Sequence, residues 1–412
     1  MNRRCIALSL CMLALTLHSI AHATPESESQ SDFRFDGSVS RRVLKNYLSR
    51  AITESDLLTG KGNFEDNVRM LTNVGAKFVG RAIYRWGSED RLPAVLEKAK
   101  PRVQQIHDAD PEIVLQAAIF EVVSKGVNQL PVPGWVFSEF GLPEEQRNFR
   151  YESMVFSDGY GHDKFGKDRS IPDITQQETQ LFFFYLGKNY IDLGIEAIHC
   201  GQVKLMARND SRLSSWFNVL GHLRKYAASH ARRHFVFFDG HAPDHGFADG
   251  GRLLLDFHSF PSRPVEVVNK PEQTILQKGH LDTIYGRSMG GITPSGWKCT
   301  SLPYLVELDN GRSTDKQGQP NVNGGYAIWG YDEISWFAHQ PSAYRNHWLH
   351  YAAQWLRKND WDGFFEMPGS RPLSAPVGDQ TYYFANSPSA ELPQGFGQEE
   401  AIKDIFLNMD HP

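Results

Sequence analysis

The feature that most constrains the fold is a repeated alternation of apolar or aromatic runs with longer amphipathic segments. The runs are KFVGRAIYRW (77–86), EIVLQAAIFEVV (112–123), IEAIHCGQV (195–203), HFVFFDGHA (234–242), RLLLDFHSF (252–260), PYLVELDN (303–310), YAIWGYDE (326–333) and WDGFFEMPG (361–369). Helical patterns are found at 40–52, 64–74, 90–107, 175–192, 211–231 and 341–358. Strands that alternate with helices form parallel sheets, and eight such units predict an α/β fold, a closed (β/α)8 TIM-type barrel.

An open doubly wound sheet is the alternative fold. It is disfavoured because the first run is followed by WGSEDR, and no GxGxxG turn follows any run. The run at 252–260 follows its predecessor too closely for a normal crossover helix, and the run at 326–333 is short. A strand missed by this count could lie near 280–286.

The predicted organisation has four parts. Residues 1–23 read as a secretory signal peptide, because Arg3 and Arg4 precede an apolar stretch that ends in Ala21-His22-Ala23. Residues 24–60 are a lead-in with one helix, and 61–370 form the barrel, with insertions at 122–175, 259–302 and 310–325. Residues 371–412 are a C-terminal extension that packs on the barrel. These long loops follow strand ends, where barrel enzymes build their active sites.

Composition limits the classes of partner. The formal net charge is −5, with 43 Lys and Arg against 48 Asp and Glu, and no basic stripe points to nucleic acid. No apolar stretch is long enough for a membrane anchor. The signal-peptide pattern predicts a secreted or periplasmic protein. Cys200 and Cys299 follow the signal segment and either pair or stay as buried thiols. No cofactor is expected, and the oligomeric state is left open.

The strand at 303–310 ends in carboxylates that share one face. Because side chains alternate along a strand, Leu305, Glu307 and Asp309 point one way, while Tyr304, Val306 and Leu308 point the other. If the second set faces the helices, Glu307 and Asp309 face the barrel axis at its carboxyl end. Other runs also end in Asp, Glu, His or Gln.

Paired carboxylates of this kind suit hydrolysis of a glycosidic bond, in which one protonates the leaving oxygen and the other attacks or activates water. Glu307 is the expected nucleophile or base and Glu121 the expected acid, since each ends an apolar strand. Glu366 and Asp239 are the alternates. The residues expected to bind the carbohydrate are Trp86, His199, Gln202, His241, His258, Tyr285, Arg287, Trp297, Asp309, Asn310, Trp329, Asp332 and Glu333. Aromatic rings among them can stack on sugars.

Two other functions remain open. In the first, His199, His241 and His258, with neighbouring Asp residues, hold a catalytic metal ion in a barrel hydrolase or isomerase, although no HExxH or HxH signature supports it. In the second, the barrel binds glycans without cleaving them.

The chain resembles secreted (β/α)8-barrel glycoside hydrolases through the strand endings AAIFE, FFDGHA, LLLDFH, YLVELDN and GFFEMPG, over about residues 75–370. The resemblance is one of architecture, and it implies a carbohydrate substrate. The largest group of retaining enzymes with this fold has an Asn-Glu pair after strand four and a Glu after strand seven. FFDGHA has neither residue at the fourth run, and Glu307 lies on the sixth.

Overall fold

The computed structural model describes residues 32–409 except 244, 284 and 322–324. The predicted signal segment therefore lies outside the described residues. The main strands are, in chain order, β1 (Ala51–Glu54), β2 (Phe78–Tyr84), β3 (Val114–Ala118), β4 (Ala197–His199), β5 (Phe237–Asp239), β6 (His258–Pro261), β7 (Tyr304–Glu307), β8 (Gly363–Phe365), β9 (Met367–Val377) and β10 (Gln380–Phe384).

The helices alternate with these strands along most of the chain. They are α1 (Arg41–Leu48), α2 (Phe64–Val74), α3 (Leu92–Ala109), α4 (Gly134–Glu139), α5 (Gln177–Leu193), α6 (Val203–Met206), α7 (Ser214–His230), α8 (Glu333–His339), α9 (Ser342–Asn359) and α10 (Glu399–Met409). Local sequence sets their ends: Asn63 caps α2 by accepting from the backbone N–H of Asp66 at 2.9 Å, and α2 ends at Gly75 as predicted.

Two mainly parallel sheets contain these strands. The larger has the order β10-β9-β1-β2-β3-β4-β5, in which only the β9–β10 pair is antiparallel. The smaller has the order β6-β7-β8 and is parallel throughout. Short two-residue strands lie in the long loops, at Val123–Ser124, Arg169–Ser170, Ala248–Asp249, Arg252–Leu253, Val265–Glu266, Thr274–Ile275, Gly291–Ile292 and Lys298–Cys299.

Most predicted elements are confirmed, although the run at 252–260 forms strand only at Arg252–Leu253 and from His258 onward. The strand list needs two corrections. Residues 326–333 are predicted as a strand, but these described residues contain only an isolated bridge between Ile328 and Tyr331 before α8 begins at Glu333. The chain turns at Trp329 and Gly330, with φ of 49° and 78°. The strand missing from the prediction is β1, which lies at the end of the predicted helix 40–52 rather than near 280–286. Chain order therefore makes β7, with Glu307, the seventh parallel strand.

The alternation of side chains along β7 is as strand parity predicts. Tyr304, Val306 and Leu308 belong to the larger hydrophobic core, which includes residues of the flanking helices, whereas Leu305 belongs to a smaller core. That smaller core also contains residues from or beside β1 to β6 and β8, together with side chains of α1. Among them are Ala51, Phe78, Val114, Ala197, Phe235, Phe237, Phe257, Phe364, Leu44, Tyr47 and Leu48. Glu307, two positions after Leu305, shares its side of the strand.

Two further expectations can be compared with the described residues. Cys200 and Cys299 are both buried and unpaired, which agrees with the buried-thiol alternative. Within the described ranges, no helix is both long and apolar enough to cross a bilayer.

Candidate functional site

A cleft of about 1040 Å³ lies at the carboxyl ends of the parallel strands. Many of its lining residues belong to, or closely follow, β1 to β7 and β9, and others come from the loops near 164, 282 and 326–333. The following nine residues that the sequence predicts as functional line it: Trp86, Glu121, His199, Gln202, His241, Asp309, Asn310, Asp332 and Glu333. Three more, Glu307, Asp239 and Glu366, are buried against lining residues.

Glu307 is held by three cationic or protonatable side chains. Its Oε1 accepts from Arg81 and lies 3.3 Å from Nε2 of His241, and its Oε2 accepts from Nη1 of Arg371 at 2.6 Å. Burial raises the pKa of Glu307, but the charges of Arg81 and Arg371 outweigh it and hold that pKa well below its usual range. Glu307 is therefore a carboxylate anion, suited to act as a nucleophile or base and unsuited to act as an acid.

Arg81 reaches Glu307 through an unusual backbone. It lies inside β2 with φ of 54°, where the pairing with β3 shifts register between Val79 and Ile83, and its N–H donates to Gln116 Oε1 at 3.0 Å. A positive φ is costly for a residue with a side chain, and such strain is concentrated at functional sites. The bulge turns the Arg81 side chain out of the ordinary strand alternation and places its guanidinium beside Glu307.

Glu366 is a second buried carboxyl close to this group. Burial and the charge of Glu307 raise its pKa to about 7, with Arg81, Thr53 and Arg371 opposing the shift. The neighbouring Gly80 leaves the room it needs, since a Cβ at that position would lie 2.0 Å from Oε1 of Glu366. The pKa values of the adjacent carboxyls Glu307 and Glu366 are thus shifted in opposite directions, which is a common arrangement in acid–base sites.

His199 and Asp239 form a separate buried pair. Nδ1 of His199 lies 2.7 Å from Oδ2 of Asp239, while Oδ1 of Asp239 accepts from Nε2 of Gln116 at 2.8 Å. The rings of His199 and His241 meet edge to face with centroids 5.2 Å apart. For His241, burial lowers the pKa, but the hydrogen bond with Glu307 and its charge outweigh it, so the net shift is upward.

One arginine, Arg263, binds three carboxylates of the cleft lining, two of which follow β7. Nη1 of Arg263 donates to Asp309 at 3.1 Å and to Glu333 at 2.9 Å, and its Nε donates to Asp282 at 2.7 Å. Glu333 also accepts from the backbone N–H of Asp309 and from Ser262. Asp332 caps α8 by accepting from the N–H of Ser335 at 2.8 Å. These contacts fix the wall of the cleft beside Asp309.

Another part of the cleft lining contains Glu121. Both of its carboxyl oxygens accept from Gln202, Oε2 from the backbone N–H at 3.0 Å and Oε1 from Nε2 at 3.1 Å. The backbone at Gly201 passes very close to Glu121. Its φ is 52°, and a Cβ at this position would lie 2.4 Å from Oε2 of Glu121. Glu121 and Gln202 therefore lock the loops after β3 and β4 together at the edge of the cleft.

An aromatic cluster flanks Glu121. The ring of Phe120 packs edge to face against Tyr84 and Trp86 at centroid distances of 5.2 Å each, and Trp86 also contacts Phe165 at 5.1 Å. All four line the cleft, and Trp86 is 38% exposed. An exposed ring held rigidly by other rings is a surface on which the apolar face of a sugar can stack.

Five residues predicted to bind substrate lie outside the cleft, because each is engaged elsewhere. His258 contacts Ser288, Tyr285 donates to the carbonyl of Ser262, Arg287 donates to that of Thr283, Trp297 to that of Val39 and Trp329 to that of Gln273. Trp297 packs beside the smaller core near α1. Their positions in loops or at strand ends predict contact with the substrate, but tertiary packing directs their side chains away from the cleft.

Three arginines of the site, Arg81, Arg263 and Arg371, were not predicted. Arg81 stands in the middle of the run KFVGRAIYRW, and a cation inside an otherwise apolar strand is the signal that could have identified it. Arg371, which is 1% exposed, also donates to Oδ1 of Asn310 at 2.6 Å. Glu307, the shared partner of Arg81 and Arg371, was predicted.

The metal alternative can be compared with this geometry. Among the described residues, no group of three or more His, Cys, Asp or Glu side chains is arranged to hold a metal ion. His199 and His241 are neighbours, but His258 is buried with its Nδ1 3.0 Å from the Ser288 hydroxyl, outside the cleft lining. The three histidines do not converge.

Comparisons with known proteins give a coarse result. No family model and no curated protein matches the sequence. A debranching enzyme from Nostoc punctiforme is 9% identical, with a TM-score of 0.43 over 89% of this chain and 81% of that chain. The GH113 β-mannanase from Alicyclobacillus acidocaldarius is 9% identical, with a TM-score of 0.40 over 87% of this chain and 97% of that chain.

The GH27 β-L-arabinopyranosidase from Geobacillus stearothermophilus is 11% identical, with a TM-score of 0.28 over 52% of this chain and 54% of that chain. The chain thus spans about half the length of that enzyme. With TM-scores below 0.5, these similarities carry neither an activity nor a substrate to this chain. The chain resembles glycoside hydrolases among the solved structures, as its strand endings indicate.

Proposed function

We propose that the two parallel sheets join into one closed (β/α)8 barrel. Only Glu366 separates β8 from β9, so a single stretch of chain pairs with β7 on one side and with β1 on the other. Between β5 and β6, the N–H of Ser259 donates to the carbonyl of Gly240 at 3.1 Å, and an isolated parallel bridge pairs His241 with Ser259. These contacts support the proposal at the two places where the sheets would have to join, between β8 and β9 and between β5 and β6.

The side chains on the inner faces support closure. Side chains two positions apart on a strand point to the same face. Two positions after the strand residues of the smaller core, the chain has Thr53, Gly80, Gln116, His199, Asp239, Ser259, Glu307 and Glu366. Gln116 on β3 bonds to Asp239 on β5 at 2.8 Å, and a Cβ on Gly80 of β2 would touch Glu366 beyond β1. Contacts between strands that are not neighbours are typical of the layered interior of a closed barrel.

Within this barrel we propose hydrolysis of a glycosidic bond, with Glu307 as nucleophile or base and Glu121 as acid. The observation that carries the proposal is the anionic Glu307, fixed by Arg81 and Arg371 directly behind a cleft with an aromatic wall. Glu121 stands beside that wall and lines the cleft. A carboxyl separation of about 5 Å would imply retention of configuration and roughly 6.5–9.5 Å inversion.

Glycan binding without cleavage is the second candidate. Two observations favour it. Both carboxyl oxygens of Glu307 and both of Glu121 are already occupied by hydrogen bonds. In addition, Glu307 is only 2% exposed, behind Arg81 and His241. For catalysis, the substrate must displace at least one of these contacts. In the binding alternative they persist.

Activity on carbohydrates decides between these two candidates. Purified protein is incubated with a panel of polysaccharides and aryl glycosides, while glycan binding is measured in parallel on the same panel. Release of reducing ends or of the aryl group supports a hydrolase. Binding with no release on any substrate supports the second candidate, and neither binding nor release contradicts both.

Trp86 gives a prediction about affinity. Trp86→Ala removes the exposed ring of the aromatic cluster, and loss of sugar stacking is expected to weaken glycan binding by about 10-fold or more, since aromatic contacts contribute about 0.5–1.5 kcal/mol beyond the area they bury. Isothermal titration calorimetry measures the change. Trp361→Ala is the matched control, because Trp361 is 63% exposed and outside the cleft lining. Equal affinity of wild type and Trp86→Ala would contradict the stacking role.

We also propose that the protein is exported to the periplasm or secreted. The basic start, apolar centre and Ala21-His22-Ala23 ending support this proposal. Cleavage after Ala23 predicts a mature chain that begins at Thr24. N-terminal sequencing of protein recovered from its native compartment tests the prediction, and recovery of a chain that still begins at Met1 from the cytoplasm would contradict it.

A further inference from the structure

His199 has one ring nitrogen that is bonded and one that is not. Its Nδ1 faces Oδ2 of Asp239 at 2.7 Å, with the hydroxyl oxygen of Ser259 at 3.4 Å from the same nitrogen. Both oxygens can accept from Nδ1, and the remaining Asp239 oxygen is taken by Gln116. This arrangement places the ring hydrogen on Nδ1 and leaves Nε2 with a free lone pair.

Nε2 of His199 has no hydrogen-bond partner among the described residues, although it is buried. The residue itself is 2% exposed and lines the cleft, between the rings of Phe120 at 5.7 Å and His241 at 5.2 Å. A buried acceptor without a donor is unfavourable, and it is rarely kept in a folded protein unless a ligand or water supplies the donor.

The charges around His199 are consistent with a neutral ring. Burial lowers its pKa, Asp239 opposes the shift, and Arg81 and His241 add to it. The neighbouring His241 is shifted upward by Glu307. The two adjacent imidazoles therefore differ in character: His199 offers an acceptor, whereas His241 offers a donor.

We propose that Nε2 of His199 accepts a hydrogen bond from a ring hydroxyl of the bound sugar, and that Asp239 is the positioning residue that fixes the required tautomer. This inference rests on the proposed function, because it names the sugar contact made next to Glu307. It makes His199 a specificity-determining residue: a sugar that lacks the matching hydroxyl leaves the nitrogen unpaired and binds more weakly.

The chain contains a matched control in His258. Like His199 it is fully buried, has one nitrogen bonded, here Nδ1 to Ser288 at 3.0 Å, and has an Nε2 without a partner among the described residues. It does not line the cleft. His199→Leu is expected to weaken glycoside binding by about 10- to 100-fold, and His258→Leu by less than about twofold.

Two measurements test the proposal. Long-range ¹H–¹⁵N correlation spectra of histidine-labelled protein, assigned by loss of the His199 signal in His199→Leu, should show hydrogen on Nδ1 and none on Nε2. Titration calorimetry then compares methyl glycosides of glucose, mannose, galactose, xylose and N-acetylglucosamine with their monodeoxy analogues. For the sugar that binds, one deoxygenation should weaken binding to wild type by about 10-fold or more and to His199→Leu by little.

Asp239→Asn covers the case in which His199→Leu does not fold. The amide of Asn can donate to Nδ1, which moves the ring hydrogen to Nε2. The sugar hydroxyl would then have to accept from Nε2 instead of donating to it, so a loss of affinity smaller than that of His199→Leu is expected, with the shape retained. The inference would be overturned by hydrogen on Nε2 in the wild type, or by an equal loss of affinity on deoxygenation in the wild type and the variants. In either case, glycan binding by the wild type would keep the proposed function intact. If the wild type neither binds nor cleaves any glycan, the inference and the proposed function are both wrong.

Discussion

Glu307→Gln is expected to lower kcat on the best glycoside substrate by about 1000-fold or more, with a smaller effect on sugar affinity. The variant keeps the shape of the side chain and removes the negative charge that Arg81 and Arg371 stabilise. A neutral amide can neither attack an anomeric carbon nor accept a proton from water. Initial rates of aryl glycoside hydrolysis measure the change.

The same substitution leaves two buried arginines facing a neutral group, which is expected to destabilise the fold by about 3–5 kcal/mol. Rates are therefore compared only at temperatures where circular dichroism shows the variant to be folded. Glu54→Gln is the matched control, since Glu54 also ends a parallel strand and is fully buried but does not line the cleft. Unchanged turnover in folded Glu307→Gln would exclude Glu307 from catalysis and direct attention to Asp309, Glu366 and Asp239.

The second large effect concerns Glu54 and the stability of the fold. Both of its carboxyl oxygens are buried with no hydrogen-bond partner among the described residues, and a Cβ on Gly369 would lie 2.1 Å from Oε1. Burial raises the pKa of Glu54 from 4.5 to about 8, and the nearby Ser370 hydroxyl opposes the shift only in part, since it donates to the carbonyl of Ser55.

Between these two pKa values the folded protein binds a proton that the unfolded chain releases. The contribution of Glu54 to the free energy of unfolding therefore falls as the pH rises from about 4.5 to about 8, by up to about 5 kcal/mol, and is constant outside that window. Glu54→Gln removes this dependence, so the variant should match wild type near pH 4.5 and exceed it by about 2–4 kcal/mol at pH 8.5.

Denaturant unfolding at both pH values tests this result. Glu97→Gln, which changes an exposed glutamate of α3, serves as the control and should leave the pH profile unchanged. An equal difference between wild type and Glu54→Gln at the two pH values would show that Glu54 does not titrate in this window.

The strand endings were the part of the site that could be predicted from sequence. Alternation along PYLVELDN assigns Glu307 and Leu305 to one face, and the observed cores agree. The convergence of Glu121, His199, His241 and Asp309 on one cleft follows because the carboxyl ends of parallel strands lie on one side of a sheet.

The two strand errors have local causes. The apolar part of β1 is only Ala51 and Ile52, directly after a helix, so periodicity extends the helix through it. The segment 326–333 has the aromatic content of a strand, but Gly330 and Trp329 take positive φ, and the N–H of Trp329 donates to Glu266. Turns of this kind depend on contacts with distant residues.

The placement of Arg81 and Arg371 beside Glu307 could not be predicted, for a related reason. Arg81 points at Glu307 because β2 bulges, and a bulge is set by the pairing of β2 with β3 rather than by the residues of β2 alone. Arg371 lies in a strand whose partner, β1, was itself missed. Which cations neutralise Glu307 is therefore a property of the assembled sheet.

The most direct test of the central claim is a crystal structure of Glu307→Gln with an oligosaccharide that the wild type cleaves. The account predicts a sugar in the cleft, stacked on Trp86, with its anomeric carbon facing the side chain at position 307, within about 3–3.5 Å for direct attack or about one water further for inversion. Glu121 should lie near the glycosidic oxygen. An oligosaccharide bound in the cleft with its scissile bond remote from both side chains would contradict the account.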